Sequence, residues 1–449
     1  MSTSPVIQSI SLPPRVPAEA EADRIIGALR ANGFAGYRVG GAVRDRLLGR
    51  ASDDVDVATD AVPAAVKSLF PHSFAVGENF GVIIVHARDG VDIEVATFRA
   101  DGEYADGRRP ANVRFSDMAT DARRRDFTVN ALYYDPVAEE IHDHTDGLAD
   151  LRRGVIRAVG TPARRFEEDR LRMLRAIRFA TSLRFELDKE TRTGIQTHAD
   201  TICDVSPERI FAELNKMLTG PAPAVAINLL SDCGLLRHIL PEVEAMKGVE
   251  QPPEFHPEGD VWTHTMLMLE NLRWPSLALA WSVLLHDVGK PPTQTHDGGR
   301  FRFNGHARVS ADMTQDILRR LRSSKKLRRT VSQCVNSHMK FMSVQEMRRS
   351  TLRQFINGET FPLELELHRL DCLGSHADMT HYHFILDTLI ELAAEPAVPQ
   401  PLLTGHDLIR AGMRPGKQMG KILADIQEKQ LDGRLKTREE ALQYVSGKR

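Results

Sequence analysis

The stretch "YRVGGAVRDRLLGRASDDVDVATD" (Tyr37 to Asp60) decides how the N-terminal part of this chain folds. Tyr37 to Val39 reads as a short strand, Gly40 and Gly41 as a tight turn, and Ala42 to Leu48 as a first helix. A glycine turn feeding a helix start directs backbone N–H groups and the helix dipole at a phosphate. Arg44 adds a cation on that first turn. Asp54 and Asp56 then stand two apart. In a strand that spacing puts both carboxylates on one face, with Val55 and Val57 on the other. Such carboxylates repel unless a cation lies between them, and Mg²⁺ takes one or two carboxylates together with substrate phosphates.

Working outward, "GVIIVHARDGVDIEVATF" (Gly81 to Phe98) reads as a β-hairpin with Asp89-Gly90 in its turn. In its second strand Val91, Ile93 and Val95 face one way, Asp92 and Glu94 the other. Laid beside the D-x-D strand, Glu94 completes a carboxylate cluster suited to two metal ions and in-line attack on phosphorus. The plainer alternative is a set of solvent-facing acids on an edge strand. "DGRRP" (Asp106 to Pro110) and "RRRDFTVNALYYD" (Arg123 to Asp135) follow. Arg125, Asp126 and Asn130 suit a triphosphate and ribose hydroxyls, because Arg pairs with phosphate and Asp or Asn with a sugar hydroxyl.

"EEDRLRMLRAIRF" (Glu167 to Phe179) places Asp169, Arg172, Arg175 and Arg178 at three-residue steps, a slowly drifting stripe on a helix. Asp169 beside Arg172 offers an acceptor next to a fork of donors. Cytosine and adenine both present an exocyclic amino donor beside a ring-nitrogen acceptor. Uracil and guanine present the opposite order and would leave buried groups unpaired, which is how sites reject analogues strongly. The pair can therefore select C and A without a template; an ordinary i,i+3 salt bridge is the alternative.

The chain has 449 residues, more than one core holds, so several domains are expected. Its 59 basic and 61 acidic residues nearly cancel, so net charge does not point to nucleic acid. A local patch would be needed. Ala163 to Phe179 and "RRLRSSKKLRR" (Arg319 to Arg329) are candidates, the second reading equally as a solvated helix face. No apolar run reaches the roughly 20 residues of a membrane helix, and no secretory signal is evident. Cys203, Cys233, Cys334 and Cys372 are scattered, which fits a reducing cytoplasm. The expected architecture is α+β: a small mixed-sheet head and then an elongated all-α body. The divisions are a tail over 1–22, a head over 23–159, a helical neck over 160–250, a helical domain over 255–392 and a tail module over 400–449.

"GGAVRD…DVD", "DGRRP", "RRDFTVNA" and "EDRLRMLRAIRF" stand in the order and spacing of bacterial class II tRNA nucleotidyltransferases, the CCA-adding enzymes, which share them with bacterial poly(A) polymerases. The resemblance covers about Ala35 to Leu240. It implies that Asp54 and Asp56 hold catalytic Mg²⁺ with Glu94 as third carboxylate. Gly40, Gly41 and Arg44 would hold the triphosphate, and Arg125, Asp126 and Asn130 the phosphates and ribose. Glu168, Asp169 and Arg172 would read the base, with Arg175 and Arg178 assisting. The implied partners are tRNA, CTP and ATP.

A second constellation lies in the helical body. His264, the His286-Asp287 dipeptide in "LLHDVGK" and Asp371 give the H…HD…D order of the HD phosphohydrolase superfamily. His306 and His338 stand where two-metal members carry extra histidines. Imidazole with carboxylate suits Mn, Fe, Ni or Zn. Removal of cyclic phosphate or monophosphate from RNA ends is the activity this resemblance suggests, and an RNA-holding body is the alternative. The C-terminal segment resembles a tail module of the CCA-adding family, with "RPGKQMGK" (Arg414 to Lys421) as a backbone contact or a structural turn. The rivals are a poly(A) polymerase, a CC- or A-adding partial enzyme, a metal phosphohydrolase whose head only holds RNA, and a stress-nucleotide enzyme that shares the HD block but lacks the tRNA-type motifs.

Overall fold

The computed structural model describes residues 6–10, 16–52, 54–77, 81–86, 90–102, 112–252, 254, 256–273, 275–297, 300–394 and 400–446. The chain forms two compact units, Met1–Glu244 with Arg320–Arg322, and Ala245–Arg319 with Ser323–Arg449.

The first unit is α+β. Its elements run β1 (Val6–Ser9), α1 (Pro17–Ala31), β2 (Gly36–Val39), α2 (Gly41–Leu47), β3 (Asp56–Thr59), α3 (Pro63–Leu69), β4 (Ser73–Gly77), β5 (Val82–His86) and β6 (Asp92–Thr97). Then come β7 (Arg99–Asp101), β8 (Val113–Phe115), α4 (Met118–Arg123), β9 (Leu132–Asp135), β10 (Glu140–Asp143), α5 (Gly147–Arg153) and β11 (Val155–Ile156). Helices α6 (Pro162–Glu168), α7 (Arg172–Leu183), α8 (Lys189–His198) and α9 (Pro207–Leu218) follow, with β12 (Glu186–Leu187) between α7 and α8. Eight strands form one mixed sheet in the order β1-β10-β9-β2-β3-β6-β5-β4.

The predicted strand, turn and helix of the opening stretch are β2, Gly40 and α2. Gly40 has φ +79°, a conformation that side-chain-bearing residues avoid. The turn is anchored from below. Glu19 on α1 accepts from Arg38 on β2 at 2.9 Å and from Arg46 on α2 at 2.7 Å, all three buried. Ile25, Ile26 and Leu29 of α1 form one apolar cluster with Val57, Ile83, Ile93 and Val95 of the sheet, all fully buried. Each such side chain contributes about 1.5–3 kcal/mol by leaving water.

Three expectations need correction. Within the segment 1–22 read as a tail, Val6–Ser9 pairs antiparallel with β10, and Pro17 opens α1. Proline is tolerated at a first helical turn because its missing N–H has no partner there in any helix. The stripe from Asp169 to Arg178 is not one helix. α6 stops at Glu168 and α7 starts at Arg172, because the Asp169 carboxylate accepts the Leu171 N–H at 3.1 Å and holds a turn between them. The body is not wholly helical, since Thr295–Asp297 pairs with Arg300–Arg302 as a small ribbon. The "DGRRP" segment and Asp89 of the hairpin turn lie outside the described residues.

Among the described residues the regular structure of the second unit is otherwise helical. Its C-terminal part has its own apolar cluster, from Leu403 and Leu408 to Ala441 and Val445. Among the described residues no helix is long and apolar enough to cross a membrane.

Candidate active site

The head site is set by strand register. β3 and β6 run parallel with Asp56 opposite Glu94 and Val57 opposite Val95. Val57, Ile93 and Val95 are fully buried on one face. A one-residue slip would drive the two acids into that core, so burial of the valines fixes the carboxylates side by side on the other face. Asp54 lies just ahead of β3, yet its charge acts on both partners. Burial, then Glu94 and Asp54, push the Asp56 carboxyl up to about 7, opposed by Arg125. Glu94 is raised as well, by burial and then by Asp54. Asp56 and Glu94 thus stand side by side as a repelling carboxylate pair, with Asp54 exposed just ahead of the strand.

A pocket of about 350 Å³ opens beside them. Asp56, Glu94, Arg125, Asp126, Asp169, Arg172, Arg175 and Arg209 are among the residues that line it. Arg125 lies against the glycine turn: a Cβ on Gly40 would sit 3.4 Å from its Nη1 and 3.8 Å from Asp56 Oδ2. Burial opposes the Arg125 charge, but Tyr133 and Asp121 outweigh it, so the guanidinium stays protonated. Asp126 accepts from Arg175 Nε at 2.9 Å and from Asn130 Nδ2 at 3.0 Å. Burial is overcome there by Arg175 and Asn130, which hold its carboxyl well below the usual range.

The structure does not bring every expected residue to the pocket. Arg44 is buried, donating to Asp45 Oδ1 at 2.9 Å and Asn130 Oδ1 at 2.5 Å, and Gly41 lies beside it. Arg178 pairs with Glu213 and covers the Phe179 ring at 4.0 Å. Asp169 and Arg172 both face the pocket, yet each is oriented by a different partner. Arg172 Nη1 donates to Glu168 Oε2 at 2.8 Å, and Arg209 Nη2 donates to both oxygens of Asp169, at 2.9 and 3.1 Å. Arg209, on α9, is the residue that sequence reading missed. It sits forty positions from Asp169 in "PERIFAEL", with no local pattern pointing back to it.

Removing one partner of a half-buried charged pair costs about 1–3 kcal/mol. If the pocket takes CTP and ATP, as the sequence resemblance implies, Arg209→Ala should lower kcat/KM for their incorporation about ten- to hundredfold and shrink the preference over UTP and GTP. Single-turnover incorporation of each nucleotide checks this.

The raised Asp56 carboxyl has a stability consequence of definite sign. Its folded value lies above the unfolded one, so the folded state holds the extra proton between about pH 4 and 7, and stability falls as pH rises through that window. Without divalent metal, Asp56→Asn is expected to be more stable than the parent by about 2 kcal/mol at pH 8, after allowance for solvent screening. The gap should close as pH falls toward 4. Thermal melts in EDTA across this range measure it, and a pH-independent gap would contradict it.

A second cluster lies in the second unit. His264 comes from the helix Val261–Glu270, His286 and Asp287 directly follow Leu277–Leu285, His306 opens His306–Arg320, His338 follows Lys325–Ser337, and Asp371 lies in Phe361–Gly374. All six expected residues converge. His264 Nε2 is 3.0 Å from Asp371 Oδ1, and His286 Nε2 is 3.1 Å from Asp287 Oδ2. Asp287 Oδ1 lies 3.4 Å from His306 Nε2 and 3.8 Å from His338 Nε2, so Asp287 stands between two ligand groups. The Nδ1 atoms of His286, His306 and His338 reach the carbonyls of Val283, Phe303 and Val335 at 2.9, 2.8 and 2.6 Å. With Nδ1–H donating there, the Nε2 lone pairs turn inward.

The donor atoms fit a metal. Nε2 of His264, Nε2 of His286 and Oδ1 of Asp287 are buried with no aligned hydrogen-bond partner, and the Nε2 atoms of His306 and His338 face each other at 3.2 Å. Burial pushes His338 down to about 3, and it lowers His306 too. At His264, burial is outweighed by Asp371 and Glu258, and the ring rises to about 9. The carboxylates that favour a proton there favour a metal cation for the same reason. Lys290 Nζ, 2.7 Å from Asp287 Oδ2 and 2.6 Å from Gln251 Oε1, closes one edge.

The sheet-borne carboxylates and the arginine-lined pocket define a nucleotidyltransferase of the poly(A) polymerase head type. The Poly A polymerase head domain family matches residues 36–157, the RNA and SrmB-binding site of polymerase A matches 184–247, and tRNA nucleotidyltransferase domain 2 matches 305–445. The chain is 32% identical over 438 residues to the CCA-adding enzyme of Levilactobacillus brevis, covering 95% of this chain and 97% of that one. It belongs to the CCA-adding enzyme family. It is 39% identical to the CCA-adding enzyme of Geobacillus stearothermophilus over 277 residues, 61% of this chain and just under two thirds (64%) of that enzyme's length. The crystal structure of the Bacillus stearothermophilus CCA-adding enzyme in complex with CTP superposes with a TM-score of 0.74 and 26% identity, covering 97% of this chain and 98% of that one.

Proposed function

We propose that this chain adds C, C and A to tRNA 3′ ends from CTP and ATP without a template. The observation that carries the reading is the convergence, in one pocket, of Asp56 and Glu94 with Arg125, Asp169, Arg172 and Arg175. Asp54, Asp56 and Glu94 would hold two Mg²⁺ ions, which when bound supply a clamp on the attacking and leaving oxygens of an in-line displacement at the α-phosphate. Arg125, permanently charged beside the glycine turn, neutralises the triphosphate. Arg175, fixed by Asp126, adds a second cation facing the same volume. The base then meets Asp169 and Arg172, held by Arg209 and Glu168, so that an amino donor and a ring acceptor are satisfied together. Gly40, Gly41, Arg44 and Asn130 shape the turn beneath the phosphates, and Arg178 supports the α7 wall.

CTP and ATP incorporation at least a hundredfold above UTP and GTP, with the ratio collapsing in Asp169→Ala, tests the reading. Equal use of all four nucleotides would refute it. The length of the added tail separates this reading from poly(A) polymerase and from CC- or A-adding enzymes.

The convergence of His264, His286, Asp287, His306, His338 and Asp371 favours a further activity in the second unit. It is a transition-metal phosphohydrolase of the HD type acting on cyclic or terminal phosphates of RNA ends. An RNA-holding head with only this hydrolase active is the rival of a different class, and retention of nucleotide addition after loss of Asp287 would exclude it. The cysteines Cys203, Cys233, Cys334 and Cys372 are free, in keeping with a cytoplasmic place of work.

A further inference from the structure

We propose that Glu258 is a positioning residue for the cluster in the second unit, fixing His264 so that its Nε2 is presented to a metal ion. The inference rests on the metal-site reading of that cluster. Among its four histidines, His286, His306 and His338 anchor Nδ1 on backbone carbonyls, as described above. His264 differs. Its Nδ1 hydrogen-bonds the Gly374 carbonyl at 3.2 Å and in addition lies 2.8 Å from the Glu258 carboxylate oxygen Oε1. The same Oε1 accepts from His256 Nδ1 at 2.8 Å, so one carboxylate oxygen lies against two imidazole nitrogens. The His256 and His264 rings meet edge to face, with centroids 5.0 Å apart. The Glu258 side chain is 6% exposed and His264 is fully buried.

Local structure holds the carboxylate in place. Asp260, two residues on, caps the helix that carries His264 by accepting the Thr263 N–H at 2.8 Å, and it accepts the Gly248 N–H at 2.6 Å. Glu258 is thereby tied to the start of the helix whose first turn bears the ligand. A carboxylate on the far nitrogen of a ligating imidazole fixes its tautomer and ring angle and raises its basicity more than a neutral carbonyl does. His256 supplies the second donor that keeps Oε1 turned toward His264. Glu258 thus makes His264 the most electron-rich of the four nitrogen donors, and it acts on the ion only through that ring.

The test is Co²⁺ titration of the metal-stripped full-length chain against a competing chelator, followed by visible absorption. It is run in an Asp54→Ala, Asp56→Ala background that removes the head carboxylates from the titration. Glu258→Ala is expected to weaken Co²⁺ binding ten- to hundredfold and to alter the absorption envelope. Glu258→Gln keeps an oxygen acceptor but drops the charge and should fall between. If Glu258→Ala does not fold, Glu258→Gln decides. Parental affinity and spectrum in the folded variants, while Asp287→Asn abolishes binding, would overturn the positioning role alone. Absence of Co²⁺ binding in the parent would overturn the metal-site reading itself.

Discussion

Asp56→Ala is expected to lower the rate of nucleotide incorporation by a thousandfold or more, about 4 kcal/mol of barrier, with little change in CTP or ATP binding. The reason is the geometry of β3 and β6. Asp56 and Glu94 face each other across a parallel register, and burial together with repulsion from Glu94 and Asp54 pushes the Asp56 carboxyl up to about 7. That repulsion is relieved by a divalent cation, and a group that favours the cation only once substrate phosphates join it acts on the chemical step. Under the proposed reading nucleotide affinity rests instead on Arg125, Arg172 and Arg175, which the substitution leaves in place. Single-turnover rates with nucleotide titration separate the two effects. A large rise in KM at unchanged kcat would show that Asp56 serves binding alone.

Asp287→Asn is expected to abolish metal binding in the second unit and to reduce hydrolysis of a 2′,3′-cyclic phosphate RNA end at least a thousandfold. Asp287 is fully buried and shared by two ligand groups, with His264 and His286 on one side and His306 and His338 on the other. Removing its charge while keeping its shape takes a ligand from both groups at once. The Lys290 ammonium, 2.7 Å from Oδ2, is then left facing a neutral amide, which adds to the penalty. Metal content measured on purified protein, with hydrolysis assayed on the same preparation, checks both statements. Parental metal content in the variant would remove Asp287 from the site.

The parts of this molecule legible in the sequence are those governed by local period and turn chemistry. The alternation around Asp56 and Glu94 announced both strands, although Asp54, expected in the first of them, falls ahead of β3, and Gly40-Gly41 announced the turn. That the Glu94 strand lies beside the Asp56 strand was a condition set from chemistry; the two strands are neighbours, and their parallel direction was not legible. Long-range partners were not legible. Asp169 and Arg172 look like a local pair, yet the backbone turns between α6 and α7 and hands them to Arg209 and Glu168. Arg44 carries the charge a triphosphate needs, but Asp45 and Asn130 hold it in the interior. Val6–Ser9 sits in a proline-rich segment with few large apolar residues, which reads as a tail; its pairing with β10 is a long-range partnership that composition does not encode. In the second unit the six ligand-type residues were legible as a spaced motif. Glu258 was not, because its role depends on the ring nitrogen that His264 turns away from the cluster.

The central claim is stepwise, template-free C, C and A addition by the head. The most direct measurement extends tRNA transcripts ending before CCA, after one C and after two, in Mg²⁺ with CTP, ATP or both, and resolves products at single-nucleotide length. The account predicts two additions from CTP, one from ATP on the CC-ending transcript, and arrest after three with both. Long A tails, addition of a single nucleotide type only, or no extension at all would contradict it.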